Sequence, residues 1–185
     1  MESTAIEPIY VPEFITYEQE LELLKLMPNQ AKSSGKQRNG FVRWGQPTPY
    51  SSNMIGTEIP QAILKLNLPF EYDSVSMNEY YEEQELEYHF DKPRSGNKIY
   101  VLSLLNTGNL YFKRRDAQFK VVLERRSLCV LQDELRWVWM HSAKCSEHRF
   151  SLVFRNSKDI IPASAETYCD KCESYHYLGR GTCNE

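Results

Sequence analysis

No apolar run in the chain approaches the ~18 residues that a membrane-spanning helix needs, so no membrane partner is expected. Met1 to Pro12 lack a basic start and an apolar core, so no secretory leader is expected either. No internal repeat is visible, which argues against solenoid and propeller architectures. Charge of neither sign dominates. The chain has 22 Lys and Arg against 25 Asp and Glu, a net charge of −3, and bulk charge gives no reason to expect a polyanion partner. A paired disulfide framework is also missing. There are five cysteines, an odd number, and Cys129 and Cys145 sit in apolar or mixed strand-like surroundings. A reduced, intracellular protein fits best.

What is present suits one globular domain. The chain has 185 residues, 41% hydrophobic and 25% charged, enough to bury a sizeable core. Charge is unevenly placed. Between Asn29 and Thr57 lie Lys32, Lys36, Arg38 and Arg43 and no acid. Between Glu71 and Asp91 lie eight acids and no lysine or arginine. Lys113, Arg114 and Arg115 form a second basic point. Such asymmetry can steer a charged ligand, although a solvated face is the plainer reading of the acidic block.

Thr16 and Gln19 resemble a capping box. Leu21, Leu24 and Met27 form an apolar stripe behind it, which predicts a helix over 17–27 that Pro28 and Asn29 stop. Residues 29–53 look like a loop, yet they hold Phe41, Trp44 and Tyr50, which suggests a binding loop. Pro60 to Leu66 suits a short second helix. From residue 72 the pattern turns to short strands: 74–81, 86–91, 99–105, 110–113, 119–123, 128–132, 137–141 and 149–155, with a turn over 106–109. Eight short strands after a helical third predict a mostly β protein with flanking helices (α+β), a double-sheet jelly roll at its core. From about Ser157 the strand pattern fades, and 157–185 looks like an appendage.

His89 and Asp91 are two apart. On a strand they point the same way and reach one metal together. Phe90 would face the opposite layer. His141 follows 50 residues later, behind the run 137–140. Two histidines and a carboxylate can hold a divalent metal on one face of its octahedron and leave three positions open, the facial triad of non-haem Fe(II) oxygenases. Arg149 and Arg155 bracket a strand in which Arg149, Ser151, Val153 and Arg155 share one face and Phe150, Leu152 and Phe154 the other. Two guanidiniums aimed inward are costly to bury without an anion. A dicarboxylate between them would relieve that cost, because guanidinium and carboxylate match through paired hydrogen bonds. Two surface arginines paired with acids is the plain alternative.

Asn78-Glu79-Tyr80, then His89-Phe90-Asp91 eleven residues after Asn78, then His141, then Arg149-Phe-Ser-Leu-Val-Phe-Arg155, resemble the AlkB family of 2-oxoglutarate- and Fe(II)-dependent dioxygenases. The family pattern is N-x-Y, an eleven-residue step to H-x-D, a later H, and R-x5-R. The resemblance covers about residues 38–156. It implies that His89, Asp91 and His141 ligate iron. It implies that Arg149 and Tyr80 hold the distal carboxylate of 2-oxoglutarate, and that Arg155 and Asn78 support the chelating end, with Ser151 beside them. Leu102-Ser103-Leu104 resembles the inner strand. The stretch Arg43-Trp44-Gly45 with Tyr50-Ser51 resembles the nucleotide-recognition lid, within about residues 30–57 of a domain that spans 1–156 and has its jelly-roll core over 72–156. Two departures stand out. Glu83 occupies the position of a glycine frequent in the family, and Ser151 that of a frequent asparagine.

The implied reaction is oxidative demethylation of N-alkylated bases in RNA or DNA, on single strands or flipped bases. Trp44 and Tyr50 are the stacking candidates, and Lys36, Arg38 and Arg43 the phosphate contacts. Two alternatives stay open. One is a protein or tRNA-modification hydroxylase of the same superfamily. The other is a roll that binds RNA without turnover. In the tail, Cys169, Cys172, His176 and Cys183 could close a tetrahedral zinc site, or the tail could be reduced and metal-free. A monomer is expected.

Overall fold

The structure is a computed structural model that describes residues 7–28, 31–32, 34–46, 56–92 and 95–159, with the strand backbones of 167–169 and 174–176. In chain order its elements are β1 (Ile9–Val11), α1 (Tyr17–Leu24), β2 (Gly40–Gly45), α2 (Gln61–Leu64), β3 (Ser74–Tyr80), β4 (Glu85–His89), β5 (Ile99–Leu104), β6 (Gly108–Arg114), β7 (Ala117–Leu123), β8 (Leu128–Leu131), α3 (Asp133–Trp137), β9 (Met140–Cys145), β10 (Arg149–Arg155), β11 (Thr167–Cys169) and β12 (Ser174–His176). The protein is mostly β. One antiparallel sheet has six strands in the order β1-β8-β5-β10-β3-β2, and a second has four in the order β4-β9-β6-β7.

Side-chain alternation sorts the core into two clusters. Ile99, Val101, Val153 and Tyr80 from the larger sheet meet Leu110, Phe112, Leu123 and Ala143 from the smaller one. The sheets therefore face each other across this layer, an arrangement compatible with a β-sandwich. Val75, Met77, Leu102, Phe150, Leu152 and Phe154 point to the opposite face of the larger sheet, where Leu23 of α1 and Ile63 of α2 join them. Strand β3 is buried along its whole length because β10 and β2 pair with it on both edges. β10 follows the expected alternation: Phe150, Leu152 and Phe154 lie in the outer cluster, while Arg149, Ser151, Val153 and Arg155 line a cavity between the sheets.

Several local expectations are corrected. Residues 137–141 do not form a strand. The chain runs through α3 and re-enters the sheet at Met140. Asp133 and Glu134 in the first turn and Arg136 in the last are the charge pattern of a short helix, and the apolar run 137–140 masked it. β4 stops at His89, so Asp91 lies past the strand. The stretch expected as a loop contains β2, which pairs with β3 over six residues. The tail contains a hairpin, with Cys169 opposite Ser174 and His176 opposite Thr167.

Helix α1 has the capping box. Thr16 Oγ1 accepts from the Gln19 amide at 3.2 Å, and Gln19 Oε1 accepts from the Thr16 amide at 2.8 Å. The helix ends at Leu24, with Lys25 as its C-cap. Its inner face is Glu20 and Leu23, Leu21 is exposed, and Met27 is buried beyond the helix end. The roll follows from Glu20, whose buried carboxylate accepts from the Leu105 amide at 2.7 Å and pairs with Arg125 at 2.7 Å.

Candidate metal centre and anion pocket

β4 and β9 bring the two histidines together. Leu86 pairs with Ala143 and His89 with His141, so three steps on β4 oppose two on β9. The extra residue is a β-bulge. Strict alternation would turn residue 89 away from Leu86's side, and the bulge turns it back inward. His89 Nδ1–H donates to the Glu87 carbonyl at 2.8 Å, which leaves Nε2 with its lone pair free for a metal.

The ligand atoms of His89, Asp91 and His141 all lie within 4.8 Å of one another. His141 Nε2 is 3.8 Å from Asp91 Oδ2, while Asp91 Oδ1 accepts from Arg155 Nη2 at 3.1 Å. Burial would raise the Asp91 carboxyl, but Arg155, then His141 and His89, outweigh it and hold the group well below the usual carboxylate range. Burial first, and His89 second, push His141 down to about 3. Near neutral pH the set is thus one ionised carboxylate and a neutral imidazole at His141, the protonation states that metal binding needs. His141 Nδ1 is buried and has no hydrogen-bond partner. An N,N,O donor set of this kind fits a divalent metal ion.

These residues line a cavity of about 260 Å3 together with Arg38, Phe41, Arg43, Asn78, Tyr80, Arg149, Ser151 and Arg155. Four guanidiniums and one carboxylate, that of Asp91, face it, so its field favours an anion. Arg149 is buried, its Nε donates to Ser103 Oγ at 3.1 Å, and its guanidinium carbon lies 5.9 Å from the Tyr80 ring centroid. Its Nη2 is buried without a partner. Space for this side chain depends on Gly108, where a Cβ would fall 2.2 Å from Arg149 Nε. Burial raises the Tyr80 phenol, so the hydroxyl stays protonated and able to donate. Arg155 Nη1 donates to Ser76 Oγ at 3.1 Å, and its Nε is also buried without a partner. A buried guanidinium N–H left unpaired is costly, and Arg149 and Arg155 stand at opposite ends of β10, where the two ends of a dicarboxylate in the cavity could each meet one guanidinium.

Around the mouth the outcome is mixed. Arg38 and Arg43 line the cavity. Arg38 Nη1 donates to Asn78 Oδ1 at 2.7 Å, and Arg43 Nε to Ser76 Oγ at 3.3 Å. Trp44 does not face the cavity. Along β2, Phe41 and Arg43 point inward, while Val42 and Trp44 pack against the outer cluster. Phe41 takes the aromatic place at the rim, 47% exposed, with the Arg38 guanidinium 4.4 Å and the Arg43 guanidinium 5.5 Å from its ring centroid. Parity within a strand whose bounds are known would have found it. Of Leu102-Ser103-Leu104, only Ser103 reaches the pocket side, because both leucines lie in the outer cluster. Ile99 and Val101 line the cavity instead. Tyr50, Cys172 and Cys183 fall outside the described residues, and Cys169 and His176 are described as strand backbone alone. Lys36 is exposed, and its carbonyl accepts from the Glu85 amide at 2.7 Å. Arg136, Gly108 and Ser76 are site-supporting residues that motif spacing did not single out.

No helix among the described residues is long and apolar enough to cross a membrane. Compared with family models and with curated proteins, the chain matches none of them.

Proposed function

We propose that this protein is a 2-oxoglutarate- and Fe(II)-dependent dioxygenase of the AlkB type, built on a jelly-roll core, that removes alkyl groups from nucleic-acid bases. One observation carries the reading: His89, Asp91 and His141 converge at one end of a cavity whose walls hold the buried, incompletely paired guanidiniums of Arg149 and Arg155. A structural ion-pair network would leave no reason for two orphaned guanidinium nitrogens on residues that line the same cavity as a donor set of metal-binding type.

His89 Nε2, His141 Nε2 and Asp91 Oδ2 would hold the iron. Arg149 with the Tyr80 hydroxyl would clamp the far carboxylate of 2-oxoglutarate, and Arg155 and Asn78 would lie beside its chelating end. With dioxygen as oxidant, these groups when bound would supply oxidative decarboxylation to succinate and carbon dioxide, one oxygen atom entering succinate and the other hydroxylating an N-alkyl carbon that then leaves as an aldehyde. The residues of the chain orient and shield that chemistry. Arg155 takes one Asp91 oxygen and leaves the other toward the metal position. Ile99, Val101, Leu110 and Val153 form the apolar wall of the cavity and limit water. Arg38 and Arg43 remain as cations at the mouth once a dicarboxylate has matched the inner pair, which suits a phosphate on the substrate. Phe41 offers a ring at the same rim for a base to stack against.

The test is an anaerobic Fe(II) titration with and without 2-oxoglutarate, followed by succinate release with methylated oligonucleotides. A visible metal-to-ligand charge-transfer band that needs both components is expected, and His141→Ala should abolish it. No band in the wild-type protein would remove the oxygenase reading. A band with turnover only on protein or modified-nucleoside substrates would move the assignment to a hydroxylase of the same superfamily. RNA binding unchanged in His89→Ala, with no turnover in either form, would leave a binding roll.

A further inference from the structure

We propose that Arg136 is the positioning residue for Asp91, holding the main chain of the loop that carries this ligand so that its carboxylate meets the two histidines. The inference rests on the metal-centre reading above.

The two histidines need no such help. The ladder between β4 and β9 pairs His89 directly with His141. Asp91 lies beyond the end of β4, where the ladder bonds stop. Its side chain is tied to Arg155, but a side-chain bond alone does not fix where the backbone starts from. Arg136 supplies that constraint. Its Nη1 donates to the Asp91 carbonyl at 2.9 Å, its Nη2 to the Lys92 carbonyl at 2.8 Å, and its Nε to the Gly96 carbonyl at 3.0 Å. The three nitrogens of one guanidinium thus grip both the entry and the exit of one loop. The side chain is buried, with its guanidinium carbon 4.1 Å from the Trp137 ring centroid.

The loop is held from the other side as well. Gly96 has φ +94°, and a Cβ there would fall 2.4 Å from the Asn156 carbonyl oxygen. Asn156 directly follows Arg155, so Gly96 is held between the Arg136 fork and the end of β10. A planar fork with fixed donors can serve three carbonyls at once, whereas a lysine ammonium is a point charge that cannot reproduce the geometry. Chain position adds a coupling. Arg136 precedes His141 by five residues, so a single segment supplies one ligand and sets the position of another.

The experiment is a Co(II) titration of metal-free protein under anaerobic conditions, read by the visible d–d bands and by affinity, for wild type, Arg136→Lys, Arg136→Gln and the control Arg114→Gln on the neighbouring surface. Metal-free thermal melts accompany each variant. Both Arg136 variants are expected to bind Co(II) about 10- to 100-fold more weakly, the usual effect of removing a group that orients a ligand, with altered band intensity, while Arg114→Gln matches wild type. A purely structural role would lower the melting temperature and leave affinity and spectrum of the folded variant unchanged, and that result overturns the proposal. If neither Arg136 variant gives a cooperative metal-free melt, the residue is needed for folding itself and the positioning role is likewise overturned. A wild-type protein that binds no Co(II) brings down the metal-centre reading, and this inference with it. Binding that is equal in wild type and variants brings down the inference alone.

Discussion

The surroundings of His141 decide when its imidazole can hold a metal. Burial and the neighbouring His89 depress it from an ordinary 6.5 to about 3. Between those values the unfolded chain takes up a proton that the native site declines. Stability of the metal-free protein should therefore fall as pH drops from about 6.5 toward 3, and this contribution should be flat above 6.5. Asp91, held low by Arg155, adds loss in the same direction only in stronger acid. Denaturation midpoints measured at pH 7.5 and 5 check this, with His141→Ala expected to flatten the dependence. At Arg149 the expectation concerns the cosubstrate. Arg149→Met should raise KM for 2-oxoglutarate about thirty-fold or more, the effect of leaving a buried carboxylate unpaired. Its metal-free melt should hold or rise, because a buried cation with an orphaned nitrogen is lost. An unchanged KM would place the carboxylate elsewhere. The shared face of Arg149 and Arg155 was legible in the sequence because parity on a strand needs no tertiary knowledge, whereas Asp91 reaches the histidines from beyond the end of β4 and His89 through a bulge. The exchange of Trp44 for Phe41 was not, because parity cannot be applied until the strand is known to exist.

Elements depart from sequence patterns where a polar contact outweighs an apolar stripe. Leu21 and Leu24 suggested one face for α1, but the bonds from the Leu105 amide and Arg125 turn Glu20 inward instead. Nothing local in the helix announces partners more than eighty residues away. The residue pattern predicts a regular strand over 86–91 that includes Asp91, and the bulge that orients His89 has no signature in residue type. The turn before β4 holds Glu83 at φ +69°, a left-handed conformation that costs an L-residue about 1–2 kcal/mol. Glu83→Gly should raise the stability of the protein by about 1 kcal/mol, less the added freedom of glycine in the unfolded chain. Urea denaturation checks it, and a lower midpoint would show that the carboxylate matters more than the backbone. At the start of β6, Gly108→Ala places a methyl group against the Arg149 side chain. KM for 2-oxoglutarate should rise while metal binding in its absence stays as in wild type.

At the scale of the molecule, the cavity opens where β2 and β4, the edge strands of the two sheets, approach each other. Gln37 bridges to Glu85 at this seam. Strand count alone predicts two β layers, and the two antiparallel sheets bear out that coarse reading. The acidic block divides by role. Glu79 is buried, bonded to Asn39 at 2.8 Å and His148 at 3.0 Å, Asp91 lies in the site, and Glu71, Glu82, Glu83 and Glu87 are exposed. Phe41→Ala should weaken oligonucleotide binding about 5- to 150-fold if one base stacks on the ring, and leave 2-oxoglutarate binding as it was. Loss of both would make Phe41 a packing residue.

The bulge on β4 constrains how this chain can vary. Side chains along a strand keep count in twos, and the spare residue at Glu87 and Tyr88 restores the parity that faces an imidazole toward its partner. Deleting one residue between Leu86 and His89 would remove the bulge and leave two plain steps, which still face the imidazole inward. Metal binding should therefore survive that deletion, whereas flattening the bulge at full length would swing the imidazole to the solvent side.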